Sequence, residues 1–419
     1  MKISKLHINQ FRHLENLDFD FTYQSGDRKG QPLDKICFIG QSATGKTSLL
    51  ELINKDINGF LNTEIDQDGN IWVKFNNFNS NLKIHNRDDI FEYIHGVYLK
   101  NKVPYDKTQR SASWLGCLFE ETESIFYFTS ELLSFKNIKI FEEDSIFLIE
   151  KYKSIANRNE QAIYKQTFNE DIDEQIWIRL LDNNLKYLQN FLQFATELIN
   201  SGSVLDSSSQ KKVDDWKLIN SNPLIDFSEK FNLILSKIQL EVDLINTKNI
   251  IPLKHKITGE NIPIKNISTG TKHLLLTALP LYKLKTKESI ILIDEPERSL
   301  YPDMQMDLMD YYKNLAPEAQ FIVATHSPFI AASFEAEERF ILYFNEEGKV
   351  AVRRGTSPIG DDPNDMLYND FGIDYINKYG KKVYNEYLEK RRQLLFEKNE
   401  KVKQKLQDEI ESIGDKYNF

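Results

Sequence analysis

Only two cysteines, Cys37 and Cys117, occur in 419 residues, and no CxxC or Cys/His spacing surrounds them, so neither a disulfide framework nor a zinc site is suggested. Nowhere do about 18 apolar residues follow one another, as a bilayer-crossing helix requires. The opening Met1-Lys2-Ile3-Ser4-Lys5-Leu6 passes directly into alternating apolar and polar residues, without the apolar core and small-residue cleavage site of a secretory signal. The expectation is a cytoplasmic protein with no membrane partner. Positive charge is outnumbered, 53 Lys and Arg against 63 Asp and Glu. At a formal net charge of −10 the surface is not coated in base, and any contact with nucleic acid has to be regional. No repeat and no sustained heptad is visible, so a solenoid or a long coiled-coil arm is not supported. What remains is globular composition, 41% hydrophobic and 28% charged, in a chain long enough for one large domain with an insertion or for two domains.

The texture changes along the chain. Ile3, Leu6 and Ile8, then Leu14, Leu17, Phe19 and Phe21, alternate on either side of Asn9-Gln10-Phe11-Arg12-His13, which predicts two strands joined at that polar patch. Lys35 to Ile39 is a short apolar strand, and Ser48 to Ile53 has helical spacing. Ile71, Val73 and Phe75 alternate before an Asn/Ser turn and Leu82 to Ile84, which reads as a hairpin. From about Glu142, Trp177, Ile178, Leu181, Leu185 and Leu188 recur at helical spacing, and serine-rich segments at 201–203 and 206–209 interrupt the pattern. Strand and helix signals alternate again after Ile262. The division expected is 1–115 and 263–370 for two halves of one α/β head, 116–262 for a mainly helical insertion, and 371–419 for a charged helical tail.

Four segments carry chemistry. Gly40-Gln41-Ser42-Ala43-Thr44-Gly45-Lys46-Thr47 is a complete GxxxxGK[ST] phosphate loop between a strand and a helix, a match expected by chance on the order of once in a hundred such chains. The glycines let backbone N–H groups converge on one anion, Lys46 offers an ammonium to the outer phosphates of ATP, and Thr47 can place its hydroxyl on Mg²⁺. Ser48 opens the following helix, whose positive end adds to the anion site. Ile290 to Ile293 delivers Asp294 and Glu295 at a strand end; consecutive residues face opposite ways, so Asp294 suits the Mg²⁺ shell and Glu295 suits orienting and deprotonating the attacking water. Ser268 reads on its own as a helix cap, and with Gly270 it can also form a second anion site. His326 follows the apolar run Phe321 to Ala324, where an imidazole could donate to a γ-phosphate oxygen.

Taken in order, these segments resemble the ABC-type ATPase heads of the RecF, SMC and OLD group. The resemblance rests on Leu6 to Leu14, the phosphate loop, the Ser268 segment, Asp294-Glu295-Pro296-Glu297-Arg298-Ser299-Leu300-Tyr301-Pro302 and Thr325-His326-Ser327-Pro328, and it covers about residues 1–115 and 263–345. It implies a largely parallel sheet with an N-terminal antiparallel part and a helical insertion. It further implies that Arg12 approaches the nucleotide phosphates, that Ser268 meets the γ-phosphate held by the opposite subunit, and that Glu297 to Leu300 cross a homodimer interface. A plain surface charge is the alternative for Arg12. The signature departs from many relatives at Thr269 and Thr271, and only Gln109 offers itself for the Q-loop glutamine.

OLD proteins continue into a TOPRIM nuclease, whereas fewer than one hundred residues follow Ser327 here, without an Asp-x-Asp, so no built-in nuclease is expected. Size, the missing nuclease and Pro363-Asn364-Asp365-Met366-Leu367 resemble PtuA-like ATPases, which act in bacterial antiphage systems beside a separately encoded nuclease or other effector. The expectation is an ATPase that closes as an ATP-sandwiched dimer, or larger assembly, to control such a partner or to hold DNA. The alternatives are a RecF-like repair clamp that binds DNA directly and an ATP-sensing scaffold. A transporter subunit fits least, with about 220 residues between loop and signature. The tail carries Lys378, Lys381, Lys382, Lys390, Arg391 and Arg392 interleaved with glutamates, a pattern that favours a solvated helix face over nucleic-acid or partner contact.

Overall fold

The computed structural model describes residues 1–61, 64–65, 71–72, 80–86, 89–94, 97–104, 124–155, 163, 165–201, 209–359, 363–373, 378–397 and 399–417. Strand Lys2–Phe11 turns at Arg12 and His13 into strand Leu14–Asp20, with Phe11 opposite Leu14. Two-residue hairpin turns need positive φ, and Arg12 supplies it at 55°. Strand Lys2–Phe11 also pairs with Ser80–Asn86, and the sheet continues antiparallel through Asp89–Ile94, Val97–Lys100 and Val103–Pro104 to six strands.

The hairpin expected between Ile71 to Phe75 and Leu82 to Ile84 is corrected. Ile71–Trp72 pairs instead with Glu64–Ile65, while Leu82 and Ile84 pair with the first strand and with Asp89–Ile94. Val73 and Phe75 lie outside the described residues. Alternation marks a strand and its buried face, but says nothing of which strand lies beside it.

A second sheet has seven strands in the order Lys165–Phe168, Ile125–Phe128, Ile290–Asp294, Gln320–Ala324, Lys35–Gly40, Arg339–Phe344 and Val350–Arg354. The first six run parallel and the last is antiparallel. Its inner strands are largely apolar without alternation because both faces are covered, whereas the edge strands Lys165–Phe168 and Val350–Arg354 are more polar and half-buried. Ile36, Phe38, Leu292 and Ile322 face one core, shared with Leu49, Leu50, Leu52, Ile53 and Ile57 of helix Lys46–Leu61 and with Ile3, Ile8 and Phe19 of the six-stranded sheet. Cys37, Ile39, Ile291, Ile293, Phe321 and Val323 face the other core, built with helices that include Glu174–Leu180, Pro223–Leu235, Thr269–Lys283 and Leu308–Leu315. The phosphate-loop helix and the helix headed by Ser268 therefore lie on opposite faces of one sheet.

Buried Gln320 ties the two sheets together. Its Oε1 accepts from Ile3 N at 2.7 Å, and its Nε2 donates to Ile3 O at 2.9 Å and to Leu33 O at 2.8 Å.

Residues 116–262 are helical over most of their described length, yet two strands within that span, Ile125–Phe128 and Lys165–Phe168, belong to the central sheet. Phe168 stacks on Phe128 and touches Trp177, so these helices are continuous with the head rather than a detached unit. Strands of four residues are too short to announce themselves beside long helical patterns. At the C-terminal side, helices Lys378–Phe396 and Glu400–Tyr417 pack on each other, joined by Lys390 to Glu409 at 2.6 Å. None of their described residues is fully buried.

Candidate functional site

The phosphate loop leaves strand Lys35–Gly40 and enters helix Lys46–Leu61 with Gly40 at φ 148°, Ala43 at 66° and Gly45 at 90°. Positive φ favours glycine at both ends of the loop, and at Gly40 the neighbouring backbone also excludes a side chain. A Cβ on Gly40 would lie 2.1 Å from the Leu342 carbonyl oxygen, and one on Gly45 would lie 2.8 Å from His13 Nε2 and Leu14 Cδ2. Gln41, Ser42 and Ala43 form the exposed crest, while Thr44 is buried and its hydroxyl donates to Gln41 O at 2.8 Å. Lys46 is buried, with Nζ donating to Gly40 O at 2.9 Å and to Gln41 O at 3.0 Å. Burial lowers its pKa to about 8, against the opposing pull of Asp294, Glu295 and Glu297.

Across one intervening strand, Asp294 ends Ile290–Asp294 and its Oδ2 accepts from Thr47 Oγ1 at 3.0 Å. Burial raises its pKa to about 6, with Thr47 opposing and Glu295 and Glu297 adding to the rise. Glu295 leaves the strand at φ 51°, and its N–H donates to Ala324 O at 2.9 Å. A non-glycine residue held at positive φ beside a carboxylate pair is the sort of outlier that clusters at functional sites. Glu297 Oε1 accepts from His326 N at 2.9 Å, so the loop after the acidic strand is tied to the start of the next turn. His326 is exposed, and its pKa is lowered by partial burial and then by the Lys46 charge.

The turn of the first hairpin lies over the start of the phosphate-loop helix. Arg12 Nη1 donates to Ser48 Oγ at 2.9 Å and pairs with Glu51 at 2.6 Å, so Arg12 is more than a free surface charge. His13, which the sequence reading treated only as part of the turn, packs against Gly45. Its place depends on a contact between residues more than thirty positions apart, which no local pattern signals.

The Ser268 segment heads a helix on the sheet face opposite the phosphate-loop helix. Ser268 caps helix Thr269–Lys283, accepting from Thr271 N at 3.2 Å, and it shares a 2.8 Å hydrogen bond with the Thr271 hydroxyl. Thr271 therefore completes the cap. Gly270 faces the loop that follows the acidic strand, and a Cβ there would lie 2.2 Å from the Ser299 carbonyl oxygen. In the same loop Arg298 donates to Ser130 O. Gln109 lies outside the described residues.

This arrangement fits a nucleotide phosphate with its Mg²⁺. Thr47 Oγ1 and Asp294 Oδ2 are two hard oxygens of the kind that a cation takes together with phosphate and water, and Lys46 and the helix N-terminus supply positive charge for the anion.

A phosphate loop in a parallel sheet, an acidic strand one strand removed and an antiparallel sheet across the loop helix define an ABC-type P-loop ATPase head. The family model described as AAA ATPase domain matches residues 1–331, and the chain belongs to that family. It is similar to the Septu protein PtuA of Bacillus thuringiensis, 35% identical over 72 residues that make up 17% of this chain and 18% of that one. It is also similar to a retron Vc95 probable ATPase of Vibrio cholerae serotype O1 biovar El Tor, 25% identical over 128 residues, 30% of this chain and 25% of that one. The matches thus span a quarter or less of these relatives. Among solved structures, the Smc head domain of Pyrococcus furiosus bound to the C-terminal domain of ScpA aligns with 84% of this chain and 96% of its own, at 13% identity and a TM-score of 0.39. The SMC head domain of Thermotoga maritima aligns with 85% and 100%, at 12% identity and a TM-score of 0.40. No helix among the described residues is long and apolar enough to cross a membrane.

Proposed function

We propose that this chain binds and hydrolyses ATP with Mg²⁺, closes with a second copy over the nucleotide, and uses that closure to control a separately encoded nuclease or other effector in antiphage defence. The observation that carries the reading is the contact of Thr47 with Asp294 beneath a loop whose backbone favours glycine at both ends. The backbone N–H groups of Gly40 to Thr47 hold the phosphates, and Lys46 Nζ exchanges the carbonyls of Gly40 and Gln41 for phosphate oxygens. Thr47 and Asp294 hold the cation, which when bound offsets the charge developing on the phosphates. Glu295 orients the attacking water and takes its proton, His326 donates to the outer phosphate, and Arg12 approaches the phosphates from the hairpin turn.

Ser268 and Gly270 act on the nucleotide of the other subunit. Two observations support this. Their helix lies on the opposite sheet face from the phosphate-loop helix, and Gly270 packs on the loop that follows Asp294-Glu295. The defence assignment follows the likeness to PtuA and to the retron ATPase. DNA is a candidate second ligand, and the nuclease activity is assigned to the partner rather than to this chain.

The test is sedimentation of Glu295→Gln with ATP and Mg²⁺. The expected result is a nucleotide-dependent dimer or larger assembly that disperses when ATP is replaced by ADP. A monomer at saturating ATP rejects the shared site.

A further inference from the structure

One polar group beside the site has no work in the scheme above. Tyr127 lies on strand Ile125–Phe128 opposite Leu292, so its ring shares with Leu292 and Asp294 the sheet face that carries the phosphate-loop helix. The residue is only 4% exposed, and its hydroxyl has no hydrogen-bond partner among the described residues. A hydroxyl buried in this way is costly, and native structures keep one mainly where a ligand, ion or water completes it.

The charges that act on it are those of the site. Asp294, Glu51 and Glu131 bear on the phenol with negative charge and Arg12 with positive charge. Burial first, then these carboxylates, hold the phenol well above its usual pKa, so it stays protonated and can act only as a donor toward anionic or water oxygens. Glu51 is already engaged by Arg12, and Asp294 already accepts from Thr47 on one oxygen. A partner of the right kind is a water that would hydrate a cation held at Thr47 and Asp294, since Mg²⁺ dehydrates reluctantly and keeps several waters.

We infer that Tyr127 is a positioning residue for the divalent cation: its hydroxyl donates to a water of the cation's shell beside Asp294. The inference rests on the ATP–Mg²⁺ reading of the site. It assigns Tyr127 no contact with the reacting phosphate. Hydrogen bonds made by groups behind the direct ligands set how tightly a metal is held, and their loss typically weakens affinity about 10- to 100-fold.

The test is Tyr127→Phe in the full chain, with Tyr311→Phe as control. Tyr311 also has a buried hydroxyl without a partner among the described residues, but it faces the other core. Binding of a fluorescent ATP analogue is titrated against Mg²⁺, and thermal unfolding is followed without nucleotide. The expected result is that Tyr127→Phe needs at least about tenfold more Mg²⁺ for half-maximal binding, that Tyr311→Phe matches wild type, and that nucleotide-free Tyr127→Phe unfolds no lower than wild type. An unchanged Mg²⁺ requirement overturns the inference. So does a lowered unfolding temperature without nucleotide, because the hydroxyl then has a structural partner. If the wild-type chain itself shows no Mg²⁺-dependent nucleotide binding, it is the ATPase reading that falls.

Discussion

Replacing Gly270 by alanine tests what this glycine does inside one chain, read in the stability of the protein. The added Cβ would lie 2.2 Å from the Ser299 carbonyl oxygen and 2.8 Å from its carbon, where ordinary contact begins at 3.4 Å. The obstacle is backbone, and that backbone is fixed. Ser299 sits at φ 61°, and hydrogen bonds from Arg298 N to Glu295 O at 3.1 Å and from Leu300 N to Glu297 O at 2.9 Å close the loop around it. About 1 Å of movement must come from the loop or from the helix start, and forcing a group into packed surroundings costs about 1–3 kcal/mol. Alanine returns up to about 1 kcal/mol through helix propensity, leaving a net loss centred on about 1 kcal/mol and reaching about 2. Urea unfolding reads this as a lower midpoint at unchanged slope. The displaced loop begins at Glu295, so ATP turnover should fall at least about tenfold, whereas ATP binding at the Gly40 to Thr47 loop stays within about threefold, since a 1 Å misplacement acts chiefly on the reacting geometry. A Gly270→Ala protein as stable as wild type, with wild-type turnover, refutes the packing argument.

Two further outcomes follow from buried polar groups. At limiting ATP, kcat/KM should be bell-shaped in pH, falling below about 6 as Asp294 of the nucleotide-free protein protonates and above about 8 as its Lys46 loses its proton. In nucleotide-free protein the same groups act in the opposite sense: the raised Asp294 pKa makes stability decline as pH rises through about 6, and the lowered Lys46 pKa makes stability rise with pH above about 8. A pH profile of kcat/KM and unfolding midpoints across the same range check both signs; a flat profile between pH 5 and 9 would remove the assigned charges from the mechanism. Separately, Gln320→Ala strips Ile3 and Leu33 of three hydrogen bonds, the two to Ile3 joining the sheets, and leaving buried backbone groups unpaired should cost about 2–4 kcal/mol in urea unfolding. A loss below about 0.5 kcal/mol would mean that these groups find other partners.

How much of this was legible in the sequence depended on how local the determining interactions are. Gly40 to Thr47 could be read directly, because a strand, a turn that demands glycine and a helix N-terminus lie within a dozen residues. The approach of Asp294 to Thr47 was inferred from the chemistry of a strand ending in two acids, and the parallel sheet brings them to 3.0 Å. Ser268 had its cap written in adjacent residues and appears as one. Beyond that reach the sequence was silent or misleading. Alternation at Ile71 and Leu82 marked strands but not their neighbours, and the short strands Ile125–Phe128 and Lys165–Phe168 were hidden in helical texture although they complete the head. His13 on Gly45, Gly270 against Ser299 and Tyr127 beneath the loop helix join residues far apart in the chain. By itself the sequence determined the fold class and the phosphate-binding chemistry, since hydrophobic periodicity and glycine's access to positive φ are local physics. Only the tertiary structure decided which side chains meet around that loop and which face carries the Ser268 helix, because strand order is set by packing two cores at once, and no local pattern encodes that choice.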